Sequence, residues 1–518
     1  MLISELYTLY KQHPVITTDS RICPPGSIFF ALKGESFDGN AFAEKALQSG
    51  CAYAVIDDIS YCSDNNIITH FGHTSDDIYN DSSCMDKRII LVDDVLTSLQ
   101  QLALMHRKTF GIPVIGVTGT NGKTTTKELT AAVLSKKYNT LFTQGNLNNH
   151  IGVPLTLLRL THEHEIAVIE MGANHPGEIH NLANIALPDY GLITNVGYAH
   201  LEGFGSFGGV IKAKGELYDF LSETGGKIFI DKDNKYLSGI ANGLEQITYG
   251  MMPDSVTSES QSGTIAGKIA PFISGKVLCR NPFLSFAWKM KDNVMRYKDT
   301  QHSVETHLFG DYNLLNALAA ISIGVYFDVE PEQINEAIAN YEPSNNRSQI
   351  IKTANNTIII DTYNANPSSM KAALENFALP VEMLLERSQY TYPETLSEKH
   401  SDEQTKKLLN THNEISPQIS PTSDIKPLPK AVILGDMLEL GENSQELHAD
   451  IVRLAETLDI KKILLCGKQF SAAGKEHTCF SSVEALDEFL KANPLNGYHI
   501  LIKGSNGIHL EKIIARFR

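Results

Sequence analysis

The stretch Gly116-Val117-Thr118-Gly119-Thr120-Asn121-Gly122-Lys123-Thr124-Thr125 constrains this chain more than any other. It follows the apolar run Ile112-Pro113-Val114-Ile115 and precedes a helix-like segment from Lys127 to Lys137. A glycine-rich turn between a strand and a helix aims backbone N–H groups, and the positive end of the helix dipole, at a phosphate. Lys123 then reaches the terminal phosphates, and the Thr124 hydroxyl is placed to ligate Mg²⁺. The strict P-loop spacing puts its first glycine at 117, where this chain has Val117; glycines stand instead at 116 and 119. The other reading is an ordinary glycine turn. The flanking strand and helix are those that phosphate binding requires, so a nucleoside triphosphate is the expected ligand.

Strand–helix alternation around this loop sets the fold class. Between 111 and 341, apolar strands are expected at Val114–Thr118, Ile166–Met171, Leu192–Val196 and Lys227–Ile230, each followed by a helical pattern. That pattern predicts a mostly parallel sheet with helices on both faces. Short β-prone pieces at Lys276–Leu278 and Phe283–Trp288 break it and read as an antiparallel extension. Residues 1–110 read as a small mixed α/β domain. It has strands at Ser27–Leu32 and Ala52–Ile56, a helix at Ala41–Ser49 and a helical connector from Leu96 to Phe110. Residues 342–518 form a third, Rossmann-like α/β domain, with strands at Thr357–Ile360, Ala431–Leu434, Lys462–Leu465 and His499–Ile502. A chain of 518 residues exceeds one comfortable core, which agrees with three domains. Residues 60–87, rich in Asp, Asn and Ser, read as a long surface excursion, and 384–428, almost free of apolar residues, as a flexible insertion that cannot repay ordering; neither is assigned a role.

A net charge of −16 argues against nonspecific nucleic-acid binding. The seven cysteines are scattered and lack metal-ligand spacing, as expected of free thiols in a reducing cytoplasm. No apolar run of about 18 residues appears, and the N-terminal Met1-Leu2-Ile3-Ser4-Glu5 has no basic leader pattern, so no integral membrane segment is expected.

Ligands of open parallel sheets bind beyond the carboxyl ends of the strands. Polar residues gather there. The strand at 166 ends in Glu170-Met171-Gly172, and the strand at 192 leads to Gly197-Tyr198-Ala199-His200. Glu170 and His200 can complete a Mg²⁺ site with Thr124, the alternatives being a helix-capping carboxylate and a hydrogen-bonded loop histidine. In the helix after His200, Lys212 and Lys214 stand two apart and do not share a face, so at most one enters a site. Asn146 to Pro154 is an amide-rich loop suited to sugar hydroxyls and phosphates, or to loop capping. Asn313 and Asn316 share a helix face and suit a nucleobase, or a helix cap. Asp361-Thr362-Tyr363-Asn364-Ala365-Asn366-Pro367 and Lys503-Gly504-Ser505-Asn506-Gly507 again set polar groups directly after strands.

Together and in this order, these motifs resemble the Mur ligase family of ATP-dependent amide-forming enzymes, nearly end to end. One branch is indicated by Asp19-Ser20-Arg21, by Ala31 to Gly39, by Asp361 to Pro367, and by Gly435-Asp436-Met437-Leu438-Glu439-Leu440-Gly441 followed by His448. That branch adds D-alanyl-D-alanine to a UDP-N-acetylmuramoyl-tripeptide through an acyl phosphate in peptidoglycan synthesis. The resemblance implies ATP held by Gly119, Thr120, Asn121, Gly122, Lys123, Thr124 and Thr125. It implies Thr124 and Glu170 on Mg²⁺ and His200 on a second metal ion or the transferred phosphoryl group, with Lys123, His200 and Lys214 in catalysis and a carbamate on Lys214. Asn313 and Asn316 would lie near adenine, Asp361 near ribose and Arg347 near the γ-phosphate. Ser20, Arg21, Asn148 and Asn149 would contact the nucleotide-sugar, and Tyr363, Asn364 and Asn366 would meet the site from the C-terminal domain. A monomer in the cytoplasm is implied. Asn506 departs from the arginine many relatives carry there. The rival readings are a sister ligase, a folylpolyglutamate synthase, and a P-loop switch that does not ligate.

Overall fold

The computed structural model describes residues 2–61, 67–68, 88–252, 264–265, 268–269, 272–280, 283–291, 301–343, 346–379 and 428–517. Most of the polar segments 60–87 and 384–428 lies outside the described residues, as do Cys62 and Cys84. None of the other five cysteines forms a disulfide among the described residues.

In the N-terminal unit, helix α1 (Ile3–Gln12) is followed by β1 (Ile16–Thr17), β2 (Ile28–Phe30), α2 (Ala43–Gln48), β3 (Tyr53–Ile56), β4 (Ile67–Ile68) and β5 (Ile89–Leu91). The strands pair in parallel in the order β1-β2-β3-β5-β4. Helix α3 (Val95–Arg107) is more than a connector. Its Leu99 and Leu102 belong to one continuous core that runs from Leu6 and Phe30 to Val114 and Leu217. Buried Arg107 donates to Phe110 O at 2.7 Å and Ala186 O at 3.0 Å, tying this unit to the next.

The middle unit comprises β6 (Val114–Thr118), α4 (Lys123–Leu134), β7 (Thr140–Phe142), β8 (Ile166–Glu170), α5 (Glu178–Ala186), β9 (Tyr190–Ile193), α6 (Phe207–Thr224), β10 (Lys227–Asp231), β11 (Glu245–Met251), β12 (Phe272–Cys279), β13 (Ser285–Lys291), β14 (Gln301–Glu305) and α7 (Asn313–Tyr326). Its nine strands run β14-β13-β12-β11-β10-β9-β6-β8-β7. Pairing is parallel from β7 to β12 and antiparallel across β12, β13 and β14, which is the extension the sequence pattern suggested. Alternate residues of β8 enter opposite layers: Ala167 and Ile169 pack with α5 and α6, while Ile166 and Val168 pack with α4 and α7. A strand covered on both faces needs an unbroken apolar run, and each buried aliphatic side chain contributes about 1.5–3 kcal/mol.

The C-terminal unit contains β15 (Gln349–Lys352), β16 (Thr357–Asp361), α8 (Pro367–Ala378), β17 (Lys430–Gly435), α9 (Ser444–Thr457), β18 (Lys462–Cys466), β19 (Thr478–Phe480) and β20 (His499–Lys503). Its sheet runs β15-β16-β20-β17-β18-β19, parallel except for the edge strand β15.

Several boundaries shift by a few residues from the sequence pattern, and two of the shifts have a visible cause. Helix α4 begins at Lys123, four residues before the apolar periodicity, because Gly122 in the left-handed region (φ +78°) already turns the chain. Strand β9 stops at Ile193: Thr194 N makes one last bond to Thr118 O at 2.9 Å, and the side chains of Thr194 and Asn195 bind the loop beside them.

Candidate active site

In the middle sheet β6 lies between β8 and β9, so the chain reverses its winding there and a crevice opens beyond the strand tips. The loop after β6 is built around two glycines. A β-carbon on Gly119 (φ +140°) would lie 2.0 Å from Thr194 Oγ1, and one on Gly122 would lie 2.5 Å from Asn316 Oδ1. Asn195 braces the loop, its Oδ1 accepting from Asn121 N at 3.0 Å and its Nδ2 donating to Asn121 O at 3.0 Å. Gly122 carries no side chain to cap α4, so the first-turn N–H groups face the crevice with the positive end of the helix. Lys123 Nζ donates to Gly119 O at 2.8 Å and Thr120 O at 3.2 Å, which holds the ammonium over the loop. Burial lowers its pKa and the Glu170 charge opposes that shift. Gly122→Ala should cost about 1–2 kcal/mol of backbone strain and displace Asn316, which accepts from Thr126 Oγ1 at 3.2 Å. The expected result is a lower Tm by scanning calorimetry and a KM for ATP raised about tenfold.

Glu170, at the tip of β8, is 1% exposed. Its Oε1 accepts from Thr124 Oγ1 at 3.1 Å and from Asn148 Nδ2 at 2.8 Å, while the buried Oε2 has no partner. An orphaned carboxylate oxygen costs about 1–3 kcal/mol. Beside a threonine hydroxyl and a phosphate-binding loop, it suits a hard divalent cation that completes its shell with phosphate and water. The donor set therefore fits Mg²⁺. Among the described residues no group of three or more His, Cys, Asp or Glu side chains gathers as a self-sufficient metal cage.

His200 follows β9 with φ +50°, and its Nδ1 bonds the Glu439 carboxylate from the C-terminal unit. Burial lowers the imidazole pKa, and the Glu439 charge works against that. From the same unit, the Arg347 guanidinium stacks 3.5 Å above the Tyr363 ring centroid. Asp361 takes Lys503 Nζ at 2.5 Å on Oδ2 and Ser348 N at 3.3 Å on Oδ1.

These groups line one cleft of about 1000 Å³. Thr120, Asn121, Gly122, Lys123, Thr124, Thr125, Asn148, Asn149, Glu170, His200, Asn313, Asn316, Arg347, Asp361, Tyr363 and Asn364 all reach its wall. Five expected site residues do not. Gly119 is turned against Thr194 and does not reach the wall. Ser20 and Arg21 lie in the loop after β1, where Arg21 Nε and Nη2 donate to Asp19 at 2.8 and 2.7 Å. Lys214 is 2% exposed beneath the surface, with Nζ donating to Ala173 O at 3.1 Å; Lys212, two residues earlier, is exposed, so one lysine points inward. Asn366, 3% exposed, caps α8 and donates from Nδ2 to Asn121 Oδ1 at 2.8 Å, so it joins two units where a substrate contact was expected. Asn149 lines the cleft, yet its Oδ1 is committed to Ile151 N and Gly152 N, a loop cap. Asn195, Ser368 and Lys503 also line the cleft without having been assigned to it. Lys503 carried a readable signal, as the last residue of a strand. Asn195 was hidden inside an expected strand.

A family model described as the Mur ligase middle domain matches residues 117–324, and one described as Mur ligase family, catalytic domain, matches residues 14–107. A UDP-N-acetylmuramoyl-tripeptide–D-alanyl-D-alanine ligase of Bacillus subtilis (strain 168) is 33% identical over 96% of this chain and 92% of its own length. The protein of that name from Escherichia coli (strain K12) is 31% identical with the same coverage of both chains. The crystal structure of MurF from Acinetobacter baumannii superimposes with a TM-score of 0.70 at 26% identity, covering 97% of this chain and 92% of that one. Phosphate loop, strand-tip carboxylate and near-complete coverage agree: this chain belongs to the Mur ligase family.

Proposed function

We propose that this chain joins D-alanyl-D-alanine to the terminal carboxylate of a UDP-N-acetylmuramoyl-tripeptide, splitting ATP to ADP and phosphate, in the synthesis of peptidoglycan precursors. The observation that carries the reading is a single cleft lined by Lys123, Glu170, His200, Arg347 and Asp361. Relatives bearing that activity as their name, matched along nearly the whole chain, support the same substrates. Residues 1–110 take the UDP end through Ser20 and Arg21, 111–341 take ATP, and 342–518 bring the dipeptide and close over the site. The same reading makes the enzyme a cytoplasmic monomer; no helix among the described residues is long and apolar enough to cross a membrane.

A carboxylate is a poor electrophile. In the proposed reaction its oxygen attacks the γ-phosphorus of ATP, the bond to ADP breaks, and an acyl phosphate forms. The dipeptide amine then attacks the acyl carbon; phosphate leaves and the amine loses a proton. Lys123 and the first turn of α4 hold the phosphates in line, and Arg347 meets the γ-phosphate from the facing unit. Thr124 and Glu170 would hold Mg²⁺, which neutralises phosphate charge when bound. Asn313 and Asn316 flank the base, Asp361 the ribose, Asn148 and Asn149 the sugar, and Tyr363 and Asn364 the incoming dipeptide. The clasp of Asn366 on Asn121 helps exclude water from the acyl phosphate. The test is phosphate release that requires both the muramoyl tripeptide and the dipeptide, run with lysine- and diaminopimelate-containing tripeptides. Dependence on a single amino acid would point to a sister ligase, on folate to a folylpolyglutamate synthase, and turnover with neither to a nucleotide switch.

Lys214 supports a carbamate. Burial, with Lys123 nearby, pushes its pKa down to about 7, so much of the amine is neutral near neutral pH. The neutral nitrogen adds CO₂, forming an N–C bond and losing a proton, and the product is a carboxylate. CO₂-stripped enzyme should lose activity that bicarbonate restores, and Lys214→Ala should be about 10²-fold slower and indifferent to bicarbonate. The linkage sign follows: the folded pKa lies below the unfolded one, so burying the ammonium destabilises the fold below pH 7. Stability in CO₂-free buffer should therefore rise from about pH 7 towards pH 10, and Lys214→Met should lack that rise.

A further inference from the structure

Two residues with β-carbons, His200 at φ +50° and Glu439 at φ +62°, occupy the left-handed region and meet across the gap between the middle and C-terminal units. Such backbone is unfavourable for either residue and persists only where its surroundings hold it. Around Glu439 they do. Met437 N donates to His448 Nε2 at 3.0 Å and Leu438 N to Ser505 Oγ at 3.1 Å. The Asp436 carboxylate accepts from Gln469 N at 3.0 Å and Phe470 N at 2.8 Å. His448 is itself fully buried, with Nδ1 on Ser444 O at 2.6 Å. The loop that follows β17 is thus a braced projection, and past its tip Gly441 lies against Glu202, 3.6 Å from the Glu202 Cα where a β-carbon would stand. With His200 Nδ1 bonded to Glu439, Nε2 is the ring nitrogen left for chemistry in the cleft it lines. A carboxylate on one imidazole nitrogen fixes both the tautomer and the ring plane.

We propose that Glu439 is a positioning residue that sets the His200 ring only when the C-terminal unit is docked, so that seating of that unit and readiness of the catalytic centre become one event. The proposal rests on the ligase reading above. Its geometry joins a residue that lines the cleft to one from a loop built by a different sheet. Glu439 itself does not line the cleft. A loss on its removal should therefore fall on kcat and leave substrate affinity in place.

The test is steady-state kinetics with all three substrates. Glu439→Asn tolerates a left-handed backbone but is too short to reach the ring, and Glu439→Gln keeps an acceptor at the same length. Glu439→Asn should lower kcat about 10- to 100-fold with each KM changed less than about threefold, whereas Glu439→Gln should retain kcat within about fivefold. In the double variant with His200→Ala, Glu439→Asn should add no further loss, because its effect passes through the ring. An unchanged Tm for both single variants keeps the comparison free of folding defects. Should Glu439→Asn keep wild-type kcat, or should the two losses multiply, the positioning role is wrong although the ligase stands. A wild-type enzyme inactive with the tripeptide and dipeptide overturns the ligase reading instead.

Discussion

Replacing Lys123 with alanine is expected to lower kcat by about 10³-fold, the scale of removing a preorganised donor from a site that stabilises developing charge. An ammonium has three N–H donors, and two of them are spent on Gly119 O and Thr120 O. Those two bonds orient the third without a rearrangement at the moment of phosphoryl transfer, which is why the loss should appear in kcat. Arginine should not rescue it, because a planar fork cannot make the same pair of short bonds to carbonyls three and four residues back on its own loop. Thermal unfolding should shift little, since Lys123 is half-buried and contributes no core packing. The measurement is phosphate release at saturating substrates. A Lys123→Ala enzyme within tenfold of wild type would show that the triphosphate is held elsewhere.

Glu170→Gln should separate activity from stability. The isosteric amide keeps an acceptor for Thr124 Oγ1 and Asn148 Nδ2 and removes a buried charge whose Oε2 has no protein partner. Burying a neutral amide costs less than burying an unpaired carboxylate oxygen, so the ligand-free variant should be as stable as wild type or more so. Its kcat should nevertheless fall by about 10²- to 10³-fold. Calorimetry supplies the second readout. Mg²⁺ with a non-hydrolysable ATP analogue should stabilise wild type by about 2.7 kcal/mol at a hundred times Kd, and the variant should lose the Mg²⁺-dependent part. Retention of that part would move the cation away from Glu170.

Much of the architecture was legible because it is written locally. The unbroken apolar runs at 114 and 166 named their strands, since a parallel strand buried on both faces admits little else. The rule that ligands sit past strand ends singled out Glu170, His200 and Asp361, and all three line the same cleft. Helix periodicity correctly allowed only one of Lys212 and Lys214 to point inward. Where the pattern misled, long-range bonds had overruled local preference: the side chains of Thr194 and Asn195 bind the neighbouring loop where their strand was expected to run on, and Asn366 turned from the cleft towards Asn121.

The sequence by itself determined a phosphate-binding loop, a middle parallel sheet between two further α/β units, and the identity of most groups at the strand tips. Those follow from spacings of a few residues, within which backbone geometry leaves few alternatives. Only the tertiary structure decided which groups meet: His200 with Glu439 across 239 positions, Asn121 with Asn366 across 245, and Glu170 with one oxygen satisfied and the other bare. Contacts at such separations depend on how sheets dock and on which polar atoms find partners once water is excluded. No local pattern of side chains specifies either.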